Sequence, residues 1–214
     1  MIRRLILLTL LSALCTSLQA QTVIRVACVG DSITAGAGVK DPKNKYPARL
    51  GVLLGAEYDV KNFGVSGATM LDAGDKPYKK QKAFQEAIDF KPDIVVIKLG
   101  TNDSKSHNWA KKDDFDKSTE SLVEAFQKAN PKVKVYLCHP APVIGKGNFG
   151  IRDEIVKPEI IPLIDKVAKK MKLEVIDLYT ALEGKPELIP DRVHPNDEGA
   201  GVIATTVHAA ISKK

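Results

Sequence analysis

Asp93-Ile94-Val95-Val96-Ile97-Lys98-Leu99, running into Gly100-Thr101-Asn102-Asp103, is the stretch on which the fold turns. Its apolar residues are continuous rather than alternating, mostly β-branched, and too few for an independent helix. That pattern belongs to a strand covered on both faces, as at the centre of a parallel sheet. Toward the N-terminus the chain alternates in the same style. Residues 23–29 read as a strand, 46–54 as a helix and 58–63 as a second strand. Residues 78–90 carry helical spacing at Phe84, Ala87 and Ile88, and Pro92 closes them.

Toward the C-terminus, Asp113 or Asp114 is placed to cap a helix ending near residue 129, with Phe115, Leu122, Val123 and Phe126 inside. Asn130-Pro131 ends it and residues 133–138 form a fourth strand. A loop rich in Pro and Gly leads into a helix over 152–171 that Pro158 and Pro162 break or bend. Residues 173–178 are a fifth strand, and a last helix over 197–211 takes Asn196 as its cap. Parallel neighbours need crossover connections, so this order predicts an α/β three-layer sandwich: a five-stranded parallel sheet with helices on both faces. Ligands in such folds sit beyond the carboxyl ends of the strands.

The first residues have a different character. Basic Arg3 and Arg4, an apolar run over 5–14 and Leu18-Gln19-Ala20 predict a signal peptide over 1–20, leaving one domain over 21–214 that is secreted or periplasmic. The apolar run is short of the ~20 residues of a membrane helix, so no stable insertion is expected after cleavage. With 44% hydrophobic and 27% charged residues, the whole chain of 214 has the composition of an ordinary globular protein. The net charge of +6 includes Arg3 and Arg4, and the lysine pairs (79–80, 111–112, 169–170) are scattered without interleaved aromatics. No nucleic-acid partner is therefore expected. Cys28 and Cys138 sit in strand-like segments and read as two buried thiols rather than a disulfide or metal pair.

Four polar segments follow strands and should meet at one edge: Gly30-Asp31-Ser32, Asn62-Phe63-Gly64, Gly100-Thr101-Asn102-Asp103 and Asp191-Arg192-Val193-His194. Together they supply what acyl transfer needs. Ser32 is a nucleophile at a strand-to-helix turn, His194 a base, and Asp191, three residues earlier, a group to orient that base. The Ser32 and Gly64 backbone N–H groups and the Asn102 amide supply an oxyanion hole, with Gly64 allowing close approach of substrate. Taken singly, each segment has a structural explanation as a cap or turn. Their joint order decides for chemistry.

In those four blocks, and in their order from about residue 26 to the terminal helix, the chain resembles the SGNH hydrolases, also called the GDSL esterase and lipase family, with Ile33 in place of the leucine. The resemblance implies a flavodoxin-like SGNH hydrolase fold. It also implies a Ser32–His194–Asp191 triad, oxyanion donors at Ser32, Gly64 and Asn102, and no cofactor or metal. The stretch 100–109 looks similar to bacterial carbohydrate acetylesterases of the family. The expected substrate is accordingly a small-molecule or glycan ester, its acyl group acetyl. A lysophospholipase or thioesterase of the same family is the enzymatic rival, and a noncatalytic glycan-binding module the rival from another class.

Other polar residues stay outside this site. His139 reads as a loop or substrate-adjacent histidine and His208 as a helix residue without chemistry. Asp103 and His107 lack the further ligands of a metal site. Trp109 fits either of two roles, stacking on a sugar ring or packing under its loop.

Overall fold

The computed structural model describes residues 23–212. The leader expected over 1–20 lies outside them. Five parallel strands form one sheet: β1 Ile24–Gly30, β2 Tyr58–Gly64, β3 Ile94–Lys98, β4 Lys134–Cys138 and β5 Glu174–Ile176, in the order β2-β1-β3-β4-β5. The helices are α1 Ser32–Ala35, α2 Tyr46–Leu54, α3 Lys82–Asp89, α4 Ser106–Trp109, α5 Phe115–Ala129, α6 Asp153–Ile155, α7 Ile161–Met171, α8 Leu178–Leu182 and α9 Asp197–Ile211.

Strand side chains alternate between faces, and at the centre of the sheet both faces are buried. Ala27, Val29, Val95, Ile97 and Leu137 join Phe115, Leu122, Phe126 and Ile164 in one core. Val26, Cys28, Val96, Tyr136 and Cys138 join Leu50, Ile203, Ala204 and Val207 in the other. All five residues of β3 are buried, as its unbroken apolar run requires. Cys28 and Cys138 are free buried thiols, and burial raises the Cys28 thiol to about 12 and raises Cys138 as well, so both pack as small apolar groups. Lys166 and Lys170 on α7 pair with Asp116 and Glu120 on α5, as expected of lysines on solvated helix faces.

Several boundaries differ from the sequence reading. The segment over 78–90 divides into a 3-10 turn, Tyr78–Lys80, and α3, because Gln81 between them takes an extended conformation (φ −91°, ψ 149°) that interrupts the helical ladder. The fifth strand stops at Ile176, since the Asp177 carboxylate accepts from the Thr180 N–H and starts α8. The long helix over 152–171 is α6, a π turn Val156–Ile160 containing Pro158, and α7. Proline lacks the N–H that the α ladder needs, whereas Pro162 stands in the first turn of α7 where no bond is lost. Asp114 precedes α5 without a side-chain capping bond.

The order of the strands positions the site. From β1 the chain steps outward to β2, then crosses back to β3 on the other side of β1. Loops leaving β1 and β3 therefore diverge and open a crevice at their carboxyl ends.

Candidate active site

Ser32 stands at the first position of α1, immediately beyond β1. Asp31 caps this short helix, its Oδ1 accepting from the Ile33 N–H at 3.0 Å, so the turn carrying Ser32 is fixed from beneath. Opposite, the 189–194 turn brings in His194. Ser32 Oγ lies 2.9 Å from His194 Nε2, across 162 residues of sequence. His194 Nδ1 lies 2.6 Å from Asp191 Oδ2, while the other carboxylate oxygen accepts the backbone N–H groups of His194 at 2.6 Å and Val193 at 2.9 Å. Partial burial pushes the Asp191 pKa up, but those N–H groups and the imidazole together outweigh it and lower it on balance, favouring the anion. Arg192, between them, has a φ of +74°, a conformation costly for a side chain that the surrounding bonds hold in place.

The two further donors expected from the sequence stand at the end of β2 and in the 3-10 turn Asn102–Ser104 beyond β3. The Gly64 N–H donates to Asn62 Oδ1 at 2.9 Å, and Asn62 Nδ2 donates to the Thr34 carbonyl at 2.7 Å, tying β2 to α1. Gly64 has a different reason for being glycine than the sequence suggests. A Cβ there would sit 2.2 Å from the Ala35 nitrogen and 2.6 Å from the Thr34 carbonyl carbon, so the space is occupied by α1 rather than kept for substrate. Asn102 Nδ2 donates to the Ala68 carbonyl at 3.1 Å, which commits one of its two amide hydrogens. Asn108 in turn holds the Asn102 carbonyl at 2.9 Å.

Beneath these groups lies a polar layer that pattern reading missed. Lys98, the last residue of β3, is fully buried, and its ammonium donates to both Asp31 oxygens at 3.0 and 3.1 Å and to Thr101 Oγ1 at 2.7 Å. Three donors meet three acceptors, the condition under which a buried ion pair is tolerable. The available signal was a lysine at the end of the most apolar strand, which requires a buried partner. Asp103, also fully buried, accepts the Met70 and Leu71 N–H groups at 3.0 and 2.8 Å and so anchors the loop bearing Ala68. Burial raises its pKa to about 6, against the lowering by those bonds and with a further rise from the Asp31 charge.

The remaining sequence candidates lie elsewhere. Trp109 is buried, edge-on to Phe115 with centroids 5.6 Å apart, its indole N–H donating to Glu159, so it packs under its loop. His139 is clipped between Asp165 and Asp177, joining the end of β4 to α7 and α8. His107 pairs with Asp75, apart from Asp103. Among the described residues no cluster of three or more His, Cys, Asp or Glu side chains is arranged to hold a metal. His208 lines a groove of about 670 Å³ with Ile24, Tyr58 and Asp93, at the amino-terminal end of the sheet and away from Ser32. No described helix is long and apolar enough to cross a membrane.

Comparison with known families then decides the kinship, for residues 28–202 match the GDSL-like lipase/acylhydrolase family, a span containing all four segments. The chain belongs to that family. Among its relatives, an acetylxylan esterase of Xylanibacter ruminicola is 42% identical over 212 residues, covering 89% of this chain. The chain spans 44% of that relative's length, somewhat less than half. Of solved structures, an acetyl xylan esterase is 27% identical with a TM-score of 0.69, over 88% of this chain and 100% of the other. A carbohydrate acetylesterase from Sinorhizobium meliloti (21% identical, TM-score 0.70) and an aryl esterase from M. smegmatis (20%, 0.72) each cover 88% of this chain and 98% of their own, and share the fold. The GDSL-family fold is thus the five-stranded parallel α/β sandwich described above.

Proposed function

We propose that this chain is an exported serine esterase that removes acetyl groups from a carbohydrate, with an acetylated xylan as the leading substrate. The observation that carries the reading is the continuous hydrogen-bonded line from Ser32 Oγ through the His194 ring to Asp191. Kinship with an acetylxylan esterase supports the acyl group and the polymer. Export rests on the leader read from residues 1–20.

In this mechanism Ser32 Oγ attacks the ester carbonyl carbon while its proton passes to His194 Nε2. The carbonyl oxygen gains the negative charge and is received by the N–H groups of Ser32 and Gly64 and the free amide hydrogen of Asn102. The Gly64 N–H exchanges its Asn62 partner for that oxygen. Each such donor contributes about 3 kcal/mol to the barrier reduction. Collapse breaks the bond to the sugar oxygen, which takes the proton from His194, and leaves acetyl on Ser32. Water then repeats the sequence, giving its proton to His194 and releasing acetate. Asp191 stays ionised throughout and fixes the ring.

Acetate release from a panel of acetylated glycans, with Ser32→Ala as control, tests the reading. Acetylated xylan should be deacetylated by the wild type and untouched by the variant. Equal activity in a folded Ser32→Ala protein would overturn the mechanism. A preference for octanoyl over acetyl esters would overturn the substrate and favour the lysophospholipase or thioesterase alternative.

A further inference from the structure

Phe149 is a large apolar residue, 57% exposed, on a loop with every reason to hide it. The loop reads Ile144-Gly145-Lys146-Gly147-Asn148-Phe149-Gly150-Ile151. Phe149 itself has a φ of +55°, in the left-handed region where a bulky residue is strained, and its N–H bonds the Asn148 side chain. The loop is not loose. The Ile144 N–H donates to the Arg192 carbonyl at 2.9 Å, on the turn that carries His194. The Arg152 N–H donates to Ser104 Oγ at 3.0 Å and its Nε to the Ser104 carbonyl at 2.7 Å, on the segment that carries Asn102. Ile151 and Val143 are buried beneath. A loop pinned to both walls of the site thus holds one exposed aromatic ring 5.5 Å, centroid to centroid, from the imidazole of His194.

Which half of an ester meets that ring follows from the proposed chemistry. The acyl carbon must lie at Ser32 Oγ with its oxygen toward Gly64 and Asn102. The departing oxygen must lie within reach of His194 Nε2, its proton source, so whatever that oxygen carries extends on the histidine side. We infer that Phe149 is the platform for the alcohol half of the ester, its exposed face receiving the C–H face of the sugar ring that bears the acetyl group. A pyranose face presents carbon-bound hydrogens, which suit the electron-rich face of an aromatic ring. This rests on the esterase reading above, and makes Phe149 a specificity residue for the leaving group, with no part in acyl selection.

The test compares esters that form one acyl-enzyme with different leaving groups: an acetylated xylo-oligosaccharide and methyl acetate. Phe149→Ala should lower kcat/KM for the sugar ester about tenfold relative to methyl acetate, and Phe149→Trp should restore the ratio. Because the side chain is exposed, a thermal melt of Phe149→Ala should match the wild type. An unchanged ratio, whether both substrates lose equally or neither does, would overturn the assignment and leave Phe149 as a prop for His194. If the wild type preferred octanoyl esters, the acetylesterase reading would fall alone. The same ratio measured with octanoyl esters of the sugar and of methanol would still decide Phe149.

Discussion

Lys98 Nζ and the Asp31 carboxylate form an ion pair at 3.0 Å with both side chains wholly inaccessible to water, one residue from Ser32 in sequence. Asp31 therefore does two things at once: it caps α1 through Ile33 and neutralises the lysine that closes β3. Removing only one partner leaves a buried charge without a counterion. Lys98→Met should destabilise the fold by about 3–5 kcal/mol in urea unfolding, and the double variant Lys98→Met/Asp31→Asn should recover most of it. A single variant within 1 kcal/mol of the wild type would mean that water reaches the site and that the pair does not fix the turn.

His194 and Asp191 are separable by what each contributes. His194→Ala removes the proton acceptor of Ser32, whereas Asp191→Asn keeps the shape but lets the ring take the wrong tautomer. His194→Ala should lower kcat by about 10⁶-fold and Asp191→Asn by about 10⁴-fold, each leaving KM within a few-fold. A fluorophosphonate probe should label the wild type at Ser32 and label both variants far more slowly. Rapid labelling of His194→Ala would show that the serine is activated by another base.

Asp103 predicts an acid-side effect opposite in sign to most carboxylates. Its pKa is raised from 3.8 to about 6 in the fold, so the folded state binds the proton more tightly than the unfolded chain. Its contribution to stability is complete below the unfolded value, near pH 4, and is lost as pH rises through about 6, a swing on the order of 3 kcal/mol. Asp191, with its lowered pKa, works the other way, stabilising above the unfolded value and failing as pH falls further. Melting curves of wild type and Asp103→Asn between pH 7.5 and 4 should thus diverge, the wild type gaining relative to the variant as pH drops. A constant difference would place the Asp103 pKa near that of the free residue.

What the sequence made legible depends on how local the cause is. Helix α9 was readable because Asn196 and the apolar periodicity lie within its own residues, and the Asn196 side chain does accept from Gly199. Strand β3 was readable from its apolar run. Ser32, Gly64 and Asn102 stood out because they end or follow strands, where the topology concentrates polar groups, and Asp191 and His194 because they stand three residues apart in a polar segment beyond the last strand. Hidden features depend on distant partners. Lys98 is explained by Asp31, 67 residues away. The loop around Phe149 is explained by Arg192 and Ser104, and its exposure beside His194 has no local signature. Trp109, the more conspicuous aromatic, proved to be packing because Phe115 and Glu159 claim it.

Gly64 offers the sharpest test of how the donor side is built. Its missing Cβ direction points at the Thr34–Ala35 backbone, 2.2 Å from the Ala35 nitrogen, and backbone cannot swing aside as a long side chain would. Gly64→Ala must push β2 and α1 apart, costing about 1–3 kcal/mol of stability and displacing both an N–H donor and Ser32. Activity should fall about 10²-fold or more, in line with loss of one oxyanion donor. Asn62→Ala separates geometry from sterics, since it removes the ties to Gly64 and Thr34 without adding an atom. It should loosen the same junction, with a smaller loss of kcat than Gly64→Ala and no gain in KM. If Gly64→Ala instead melted and turned over like the wild type, the contact between β2 and α1 would not be what positions the donor against the nucleophile.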